Sequence, residues 1–317
     1  MFYYYGAILI ENYSMYIEKK IEKNVLLKPF TTYQLGGPAD YFIRTTTQNE
    51  LVESIRYAIT NNIPYFVLGT GANILFGDKG FRGLVIKNET RNFRIEYWGH
   101  IICLIAESGA LVSDIIDATV KKNYSGFEYF AGIPSTIGGA LWQNLHFLSP
   151  DRKRTVFIEE IFSHGYVYSK SEDKIKPISK KEMEFGYDAS VLHNNDLVLL
   201  EATFILKQST DSVIRVRDQN IAWRNEKHPP YQTEFSCGSV FKKIKDVGAG
   251  RLIEDSGLKG YSIGGATISK QHANFITHTG SATAADVKNL IELIQKTVFN
   301  KTSYQLETEI SLIGEFE

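Results

Sequence analysis

Cysteine is nearly absent: Cys103 and Cys237 are the two in 317 residues. Two cysteines build neither a disulfide framework nor a cysteine-rich zinc module. The chain therefore reads as one for a reducing compartment, the cytoplasm. Net charge is nearly absent too. Lys plus Arg total 35 and Asp plus Glu total 36, a formal charge of -1. No overall basic field exists to hold a polyphosphate backbone, so nucleic acid is not an expected partner. A small anionic ligand in a local positive pocket stays allowed. No apolar run reaches the ~18 residues of a membrane span, and no membrane association is expected. The stretch Met1–Ile10 is apolar but lacks a basic leader and a small-residue cleavage site, so it does not read as a signal peptide. It reads as an edge strand or as an upstream start before Met15. Long internal repeats and low-complexity blocks are missing. The seven histidines show no His-x-x-x-His spacing, and no metal site is expected.

What is present is enough chain for two domains, with helical and strand patterns alternating. Thr47 and Glu50 stand at capping-box spacing before a helix running to about Asn61, with Leu51, Ile55, Ala58 and Ile59 on its apolar face. Short apolar strands are expected at Tyr65–Leu68, Leu84–Lys87 and Ile101–Ala106, and a helix over Asp114–Lys122. Phe157–Leu206 has strand character broken by polar turns. Within it, Leu200, Ala202, Phe204 and Leu206 alternate with Glu201, Thr203 and Ile205. Ser209–Asp211 is a polar break and marks a candidate domain boundary. A helix-like stretch, Val213–Arg224, follows. Thr283 caps a second strong helix whose stripe is Val287, Leu290, Ile291, Ile294 and Val298. A last strand is expected over Gln305–Ile313. The class is α+β, without the βαβ rhythm of a doubly wound sheet.

Glycine-rich turns carry the chemistry. Gly69-Thr70-Gly71-Ala72-Asn73-Ile74 follows a strand. Glycines let backbone N–H groups converge on a phosphate, with Thr70 and Asn73 as further donors. This is neither a dinucleotide fingerprint nor a P-loop, because Ile74 fills the last glycine position and no Gly-Lys-Ser/Thr follows. A second turn is Gly132-Ile133-Pro134, leading to Gly138-Gly139-Ala140. A third is Gly36-Gly37-Pro38. Each alone is as well explained by a tight turn. Three in the first half favour an extended pyrophosphate ligand, which has several charged oxygens to satisfy. A fourth, Cys237-Gly238-Ser239-Val240-Phe241-Lys242, holds two nucleophile types. No histidine with an orienting acid accompanies them, so a hydrolytic triad is not indicated. Nothing nearby activates Cys237, which reads as packing.

In this order, the four loops resemble the UDP-N-acetylenolpyruvoylglucosamine reductase family, from about Phe30 to Gly314. The densest part runs Cys237–Phe241, Ala249–Ile253, Gly257–Gly260, Ile263–Ala266, Ile268–Ile276 and Leu306–Ile310. The form resembled is the shorter one, without a long substrate-capping insertion. The resemblance implies a vanillyl-alcohol-oxidase-type FAD fold over 1–208, with subdomains of about 15–95 and 96–208, and a substrate domain over 209–317. It implies FAD and NADPH as cofactors and a UDP-sugar enolpyruvyl ether as substrate. Gly69–Ile74 and Gly132–Ala140 would hold the flavin and its pyrophosphate through backbone donors. Ser239 matches the proton donor, Glu309 a catalytic glutamate, and Lys227 a substrate-contacting lysine. Lys242 stands as a contributor beside Ser239.

Three departures from the family pattern stand out. Where the family carries a catalytic arginine in a Gly-Tyr-Arg-x-Ser motif, this chain reads Gly186-Tyr187-Asp188-Ala189-Ser190. At ~4 Å and an effective dielectric of 20 a unit charge pair is worth about 4 kcal/mol, so the reversal turns attraction for an anionic substrate into repulsion of similar size. After Asn144, the family's small residues give way to Leu145-His146-Phe147, with Arg152 and Arg154 downstream as candidate replacement cations. Lys243 stands where asparagine is usual. Three readings stay open: the reductase itself, a flavin oxidoreductase for another nucleotide-linked or carboxylated substrate, and a non-catalytic flavin-binding module.

Overall fold

The computed structural model describes residues 15–149, 153–231, 233–244 and 247–316. The expectations for Met1–Ile10 and for Arg152 lie outside the described residues. The structure divides into two compact units, neither a continuous stretch of chain. One takes the described residues up to Lys20 with Arg44–Thr60 and Ile86–Arg224; the other takes Ile21–Ile43, Asn61–Val85 and Asn225–Glu317.

The first unit is built on an antiparallel sheet in the order Lys174–Ser179, Phe162–Ser169, Leu197–Gln208, Ile101–Glu107, Phe93–Trp98. The alternation along Leu197–Gln208 sets its register: Ala202 faces Ala106, Phe204 faces Leu104 and Leu206 faces Ile102. These side chains are buried. Phe204 meets Phe127 edge-on at 5.0 Å and Phe162 at 5.9 Å. Each such ring is worth roughly 1.5–3 kcal/mol in transfer free energy. Helix Val112–Lys121 covers the core with Ile115, Ile116 and Val120. Helix Gln48–Thr60 forms as expected, with Leu51, Ile55 and Ala58 buried, but Ile59 is 45% exposed. Its capping box is half made. Thr47 Oγ1 accepts from the Glu50 N–H at 3.1 Å, whereas the Glu50 carboxylate reaches back to the Thr46 N–H at 2.8 Å and takes Lys20 Nζ at 2.6 Å.

Ser209–Asp211 is a turn rather than a break between units. Asn123, at φ 55°, accepts the Ser209 N–H on its carbonyl and the Val213 N–H on its side chain. Those bonds start helix Val213–Lys227, and the contact division falls near that helix's end, at Arg224/Asn225.

Strands Glu22–Leu26, Pro38–Thr45, Phe81–Asn88 and Tyr65–Leu68 form a sheet in that order, assigned to the second unit except for the ends of Pro38–Thr45 and Phe81–Asn88. A three-stranded sheet of Ser262–Ile263, Ala266–Ile268 and Ile276–Thr277 lies wholly in the second unit. Helix Ala284–Thr302 packs on the latter with all five predicted stripe residues buried. Thr283 and Asp286 complete a reciprocal capping box, and the Asp78 carboxylate accepts the Ala284 and Ala285 N–H groups at 2.8 Å each. The predicted strand Gln305–Ile313 shrinks to Ser311–Ile313, which pairs in parallel with Ile74–Phe76. Residues ahead of it make only an isolated bridge, Thr308 to Phe241.

Candidate functional site

In the second unit, the loop carrying Ser239 is held on both sides. On one side Asn274 does the work: its carbonyl takes the Val240 N–H at 2.8 Å, and its buried side-chain amide exchanges two bonds with the Phe241 backbone, at 3.0 and 2.9 Å. On the other side the Glu309 N–H donates to the Val240 carbonyl at 2.8 Å, and the Lys242 N–H to the Glu307 carbonyl at 2.9 Å. Ser239 and Glu309 are thus brought to one backbone crossing from positions seventy residues apart in sequence. Leu306 and Ile310 are buried, while Glu307 and Glu309 lie outside the core. Gly238 sits at φ 88°, a conformation that favours glycine, immediately before the half-buried Ser239. Burial pushes the Cys237 thiol well above its ordinary pKa, with the Glu309 charge adding to the rise, so Cys237 is no ready nucleophile. The Lys242 ammonium lies 3.9 Å from the Glu307 carboxylate, and Lys227 pairs with Glu226 in solvent.

The Gly69–Ile74 turn belongs to the same unit. Gly71 has φ 68°, and a Cβ there would stand 2.4 Å from the Phe30 carbonyl oxygen. Glycine is therefore required. The Asn73 side-chain amide donates to the Glu309 carbonyl at 3.1 Å, and the Ser311 N–H donates to the Asn73 carbonyl at 3.0 Å. The sequence reading made Asn73 a phosphate donor; its amide instead ties this turn to the strand leading out of Glu309. The N–H groups of Gly71 and Ala72 have no acceptor among the described residues.

In the first unit, the Gly132–Ala140 turn differs from the donor cradle expected. The Ile137 N–H goes to the Ala110 carbonyl at 2.9 Å and that of Gly138 to the Ser108 carbonyl at 2.7 Å. Thr136 takes the Gly139 N–H on Oγ1 and the Ala140 N–H on its carbonyl. The Ile133 N–H goes to Phe130. Buried backbone donors must be satisfied, and helix Ile137–Trp142 satisfies its first turn this way. The Gly132 N–H has no acceptor among the described residues. Beside it lies a residue that sequence reasoning missed. The Arg224 Cδ and Nε atoms lie 3.3 Å from where a Gly132 Cβ would be. Desolvation pulls this guanidinium down to about 10, still a cation at neutral pH, and no carboxylate pairs with it among the described residues. Its only sequence signal was its place three residues before Lys227. Its place against Gly132, which spacing does not show, sets it apart.

The same unit holds the inverted charge. The Asn144 amide donates to the Gly186 carbonyl at 2.9 Å, and the Gly186 N–H donates to the Ala189 carbonyl at 3.0 Å. This pins the turn carrying Asp188, at φ 54°, beside His146. Asp188 is 2% exposed, and neither carboxylate oxygen has a hydrogen-bond partner among the described residues. The His146 Nδ1 atom lies 3.6 Å away, within ion-pair reach. Burial lowers the His146 pKa, and the Asp188 charge opposes that shift. Arg154, the described candidate for a replacement cation, pairs with Glu160.

Comparisons with known proteins follow these features. An FAD-binding domain model matches residues 39–153. The class is therefore an α+β flavoprotein oxidoreductase. The model of the UDP-N-acetylenolpyruvoylglucosamine reductase C-terminal domain matches residues 229–313. The reductase of that name from Caldanaerobacter subterraneus is 37% identical over 94% of this chain and 95% of its own. That from Clostridium tetani is 36% identical over 97% and 95%. The crystal structure of the Thermus caldophilus enzyme superposes with a TM-score of 0.75 at 28% identity, covering 92% of this chain and 98% of that one. The chain belongs to the UDP-N-acetylenolpyruvoylglucosamine reductase family.

Proposed function

We propose that the chain catalyses NADPH-driven reduction of the enolpyruvyl ether of UDP-N-acetylglucosamine enolpyruvate, giving UDP-N-acetylmuramate for peptidoglycan precursors. One observation carries this reading: Ser239 and Glu309 are held at one backbone crossing, through the 2.8 Å bond from the Glu309 N–H to the Val240 carbonyl. The residues present suit the cofactor. In the second unit, the Gly71 and Ala72 N–H groups, without an acceptor among the described residues, are donors fit for a phosphate; in the first unit, so are the Gly132 N–H and the Arg224 cation beside it. Gly69, Thr70, Asn73 and Ile74 shape the first turn; Ile133, Pro134, Gly138, Gly139 and Ala140 shape the second and permit close approach rather than donating. Bound FAD supplies the hydride, taken from NADPH, for the terminal vinyl carbon.

The chain's own residues handle the proton. The Ser239 O–H bond breaks as a C–H bond forms at the carbon bearing the carboxylate, and the two additions together saturate the vinyl group. A hydroxyl is a weak acid, so its alkoxide needs support. Lys242, on the same loop, is the cation for that role. Glu309 stabilises the enol or returns the proton. Lys227, free to leave its solvent pair with Glu226, takes a phosphate or carboxylate of the UDP-sugar. The buried Asp188, where the family has arginine, favours a second reading: a related flavoenzyme for another carboxylated substrate.

The absorbance spectrum of purified protein, followed by NADPH oxidation with and without the enolpyruvyl sugar, tests both. Bound flavin and substrate-stimulated NADPH oxidation are expected. Bound flavin without that stimulation, not rescued by Asp188→Arg, selects the second reading. Protein that takes up no FAD overturns both.

A further inference from the structure

Inside the second unit, the Glu309 peptide is held from both sides. Its N–H donates to the Val240 carbonyl at 2.8 Å, next to Ser239, and its carbonyl accepts from the Asn73 side-chain amide at 3.1 Å. The second of these bonds stands where a ladder ends. Ser311–Ile313 runs parallel to Ile74–Phe76, with Ser311 opposite Ile74 and Ile313 opposite Phe76. At its two ends the Gly77 N–H donates to the Ile313 carbonyl at 2.9 Å and the Ser311 N–H to the Asn73 carbonyl at 3.0 Å. Bonds in a parallel pair are evenly spaced, so the next would run from the Asn73 backbone N–H to the Glu309 carbonyl. The Asn73 side chain makes that bond instead, and the backbone N–H is released. With those of Gly71 and Ala72 it forms three successive N–H groups without an acceptor among the described residues. Gly71 turns this run at φ 68°, and its carbonyl is anchored by the Thr32 N–H at 3.2 Å. Successive unpaired N–H groups in a turn make a concave seat for an anion.

We propose that Asn73 is the positioning residue for Glu309 and couples it to the cofactor turn: its side-chain amide fixes the Glu309 carbonyl, and the backbone N–H so freed completes a three-donor seat for a cofactor phosphate. One residue serves both ends. A phosphate that orders 71–73 therefore also orders the peptide carrying the Glu309 side chain, and through the Val240 carbonyl it steadies the Ser239 loop. Without the side-chain amide, a single N–H at position 73 has two acceptors to serve, the Glu309 carbonyl and the phosphate. One of them then goes unsatisfied. This rests on the reductase reading, which gives Glu309 its part in handling the proton.

Two measurements on the full chain test this. In the first, amide hydrogen–deuterium exchange is followed with and without FAD, and no substrate is present. In wild type, FAD should slow the amides of 71–73 and those of 309–313 together. In Asn73→Ala it should still slow 71–73 but no longer 309–313. Wild-type protection confined to either segment overturns the coupling, as does an unchanged pattern in Asn73→Ala. The wild-type comparison needs no variant, so it decides even where Asn73→Ala does not fold. In the second, stopped-flow kinetics separate flavin reduction by NADPH from flavin reoxidation by the enolpyruvyl sugar. Asn73→Ala should slow reoxidation about 10–100-fold more than reduction, the cost of a displaced catalytic group. Added to Glu309→Gln it should cause no further loss, because Asn73 acts through Glu309. Additive losses, or equal slowing of both steps, overturn the positioning role. If wild type binds FAD but leaves the sugar unreduced, the reductase reading falls and takes the catalytic part of Glu309 with it, while the exchange experiment still decides the coupling.

Discussion

At the scale of single residues, chemistry depends on what surrounds a side chain more than on its type. Cys237 and Ser239 lie two positions apart, yet burial makes one inert while the other is half-buried at the end of a turn. Ser239→Ala is expected to lower reduction of the enolpyruvyl sugar by about 10²–10⁴-fold, with the flavin spectrum and NADPH-to-flavin transfer intact. Stopped-flow spectrophotometry of the two half-reactions checks this; equal loss in both would show that Ser239 does not handle the substrate's proton. Arg224 is a half-buried, desolvated cation with no carboxylate partner among the described residues. Arg224→Met should weaken FAD about 10–100-fold, the worth of one or two charge-assisted bonds. A flavin-fluorescence titration measures it, and unchanged affinity would remove Arg224 from the diphosphate site.

At the scale of elements, local sequence set most helices and the long strand. The stripe of Ala284–Thr302 and the alternation of Leu197–Gln208 matched the buried faces because period and burial are linked by geometry. Elements whose form depends on distant partners were less legible. Gln305–Ile313 alternates as a strand should, yet its first half finds no ladder and serves as a strap across the Ser239 loop. The start of Gln48–Thr60 carries a pH dependence. Burial disfavours the Glu50 carboxylate, but Lys20 and the Thr46 N–H outweigh it and hold the pKa at about 2, below its ordinary 4.5. A carboxyl depressed in the folded state stabilises above its unfolded pKa, and that stability is lost as pH falls from about 4.5 through about 2. Glu50→Gln should therefore cost on the order of 2–3 kcal/mol at pH 7 and almost nothing near pH 2. Urea unfolding at several pH values reads this directly; a difference independent of pH would mean that the Glu50 charge is not what stabilises.

At the scale of the whole molecule, chain order and spatial order part company. A cut at 208/209 follows a polar turn, but the second core joins Tyr33, Leu35 and Leu75 to Val240, Leu252, Leu290 and Ile310. A fragment of 209–317 lacks those three side chains and the strand Ile74–Phe76 on which Ser311–Ile313 pairs. It should show no cooperative thermal transition by circular dichroism. A folded, cooperative fragment would restore the linear division. By itself, the sequence determined the α+β class, the helix and strand periods, the glycine turns and, through resemblance, the reductase family, because these depend on local period or on residue order. Only the tertiary structure decided that the amides of Gly138, Gly139 and Ala140 are engaged, that Arg224 lies beside Gly132, and that Asp188 faces His146. Hydrogen-bond partners, desolvation and charge pairing are set by residues far apart in sequence, and the spacing of residues along the chain does not encode which of them meet.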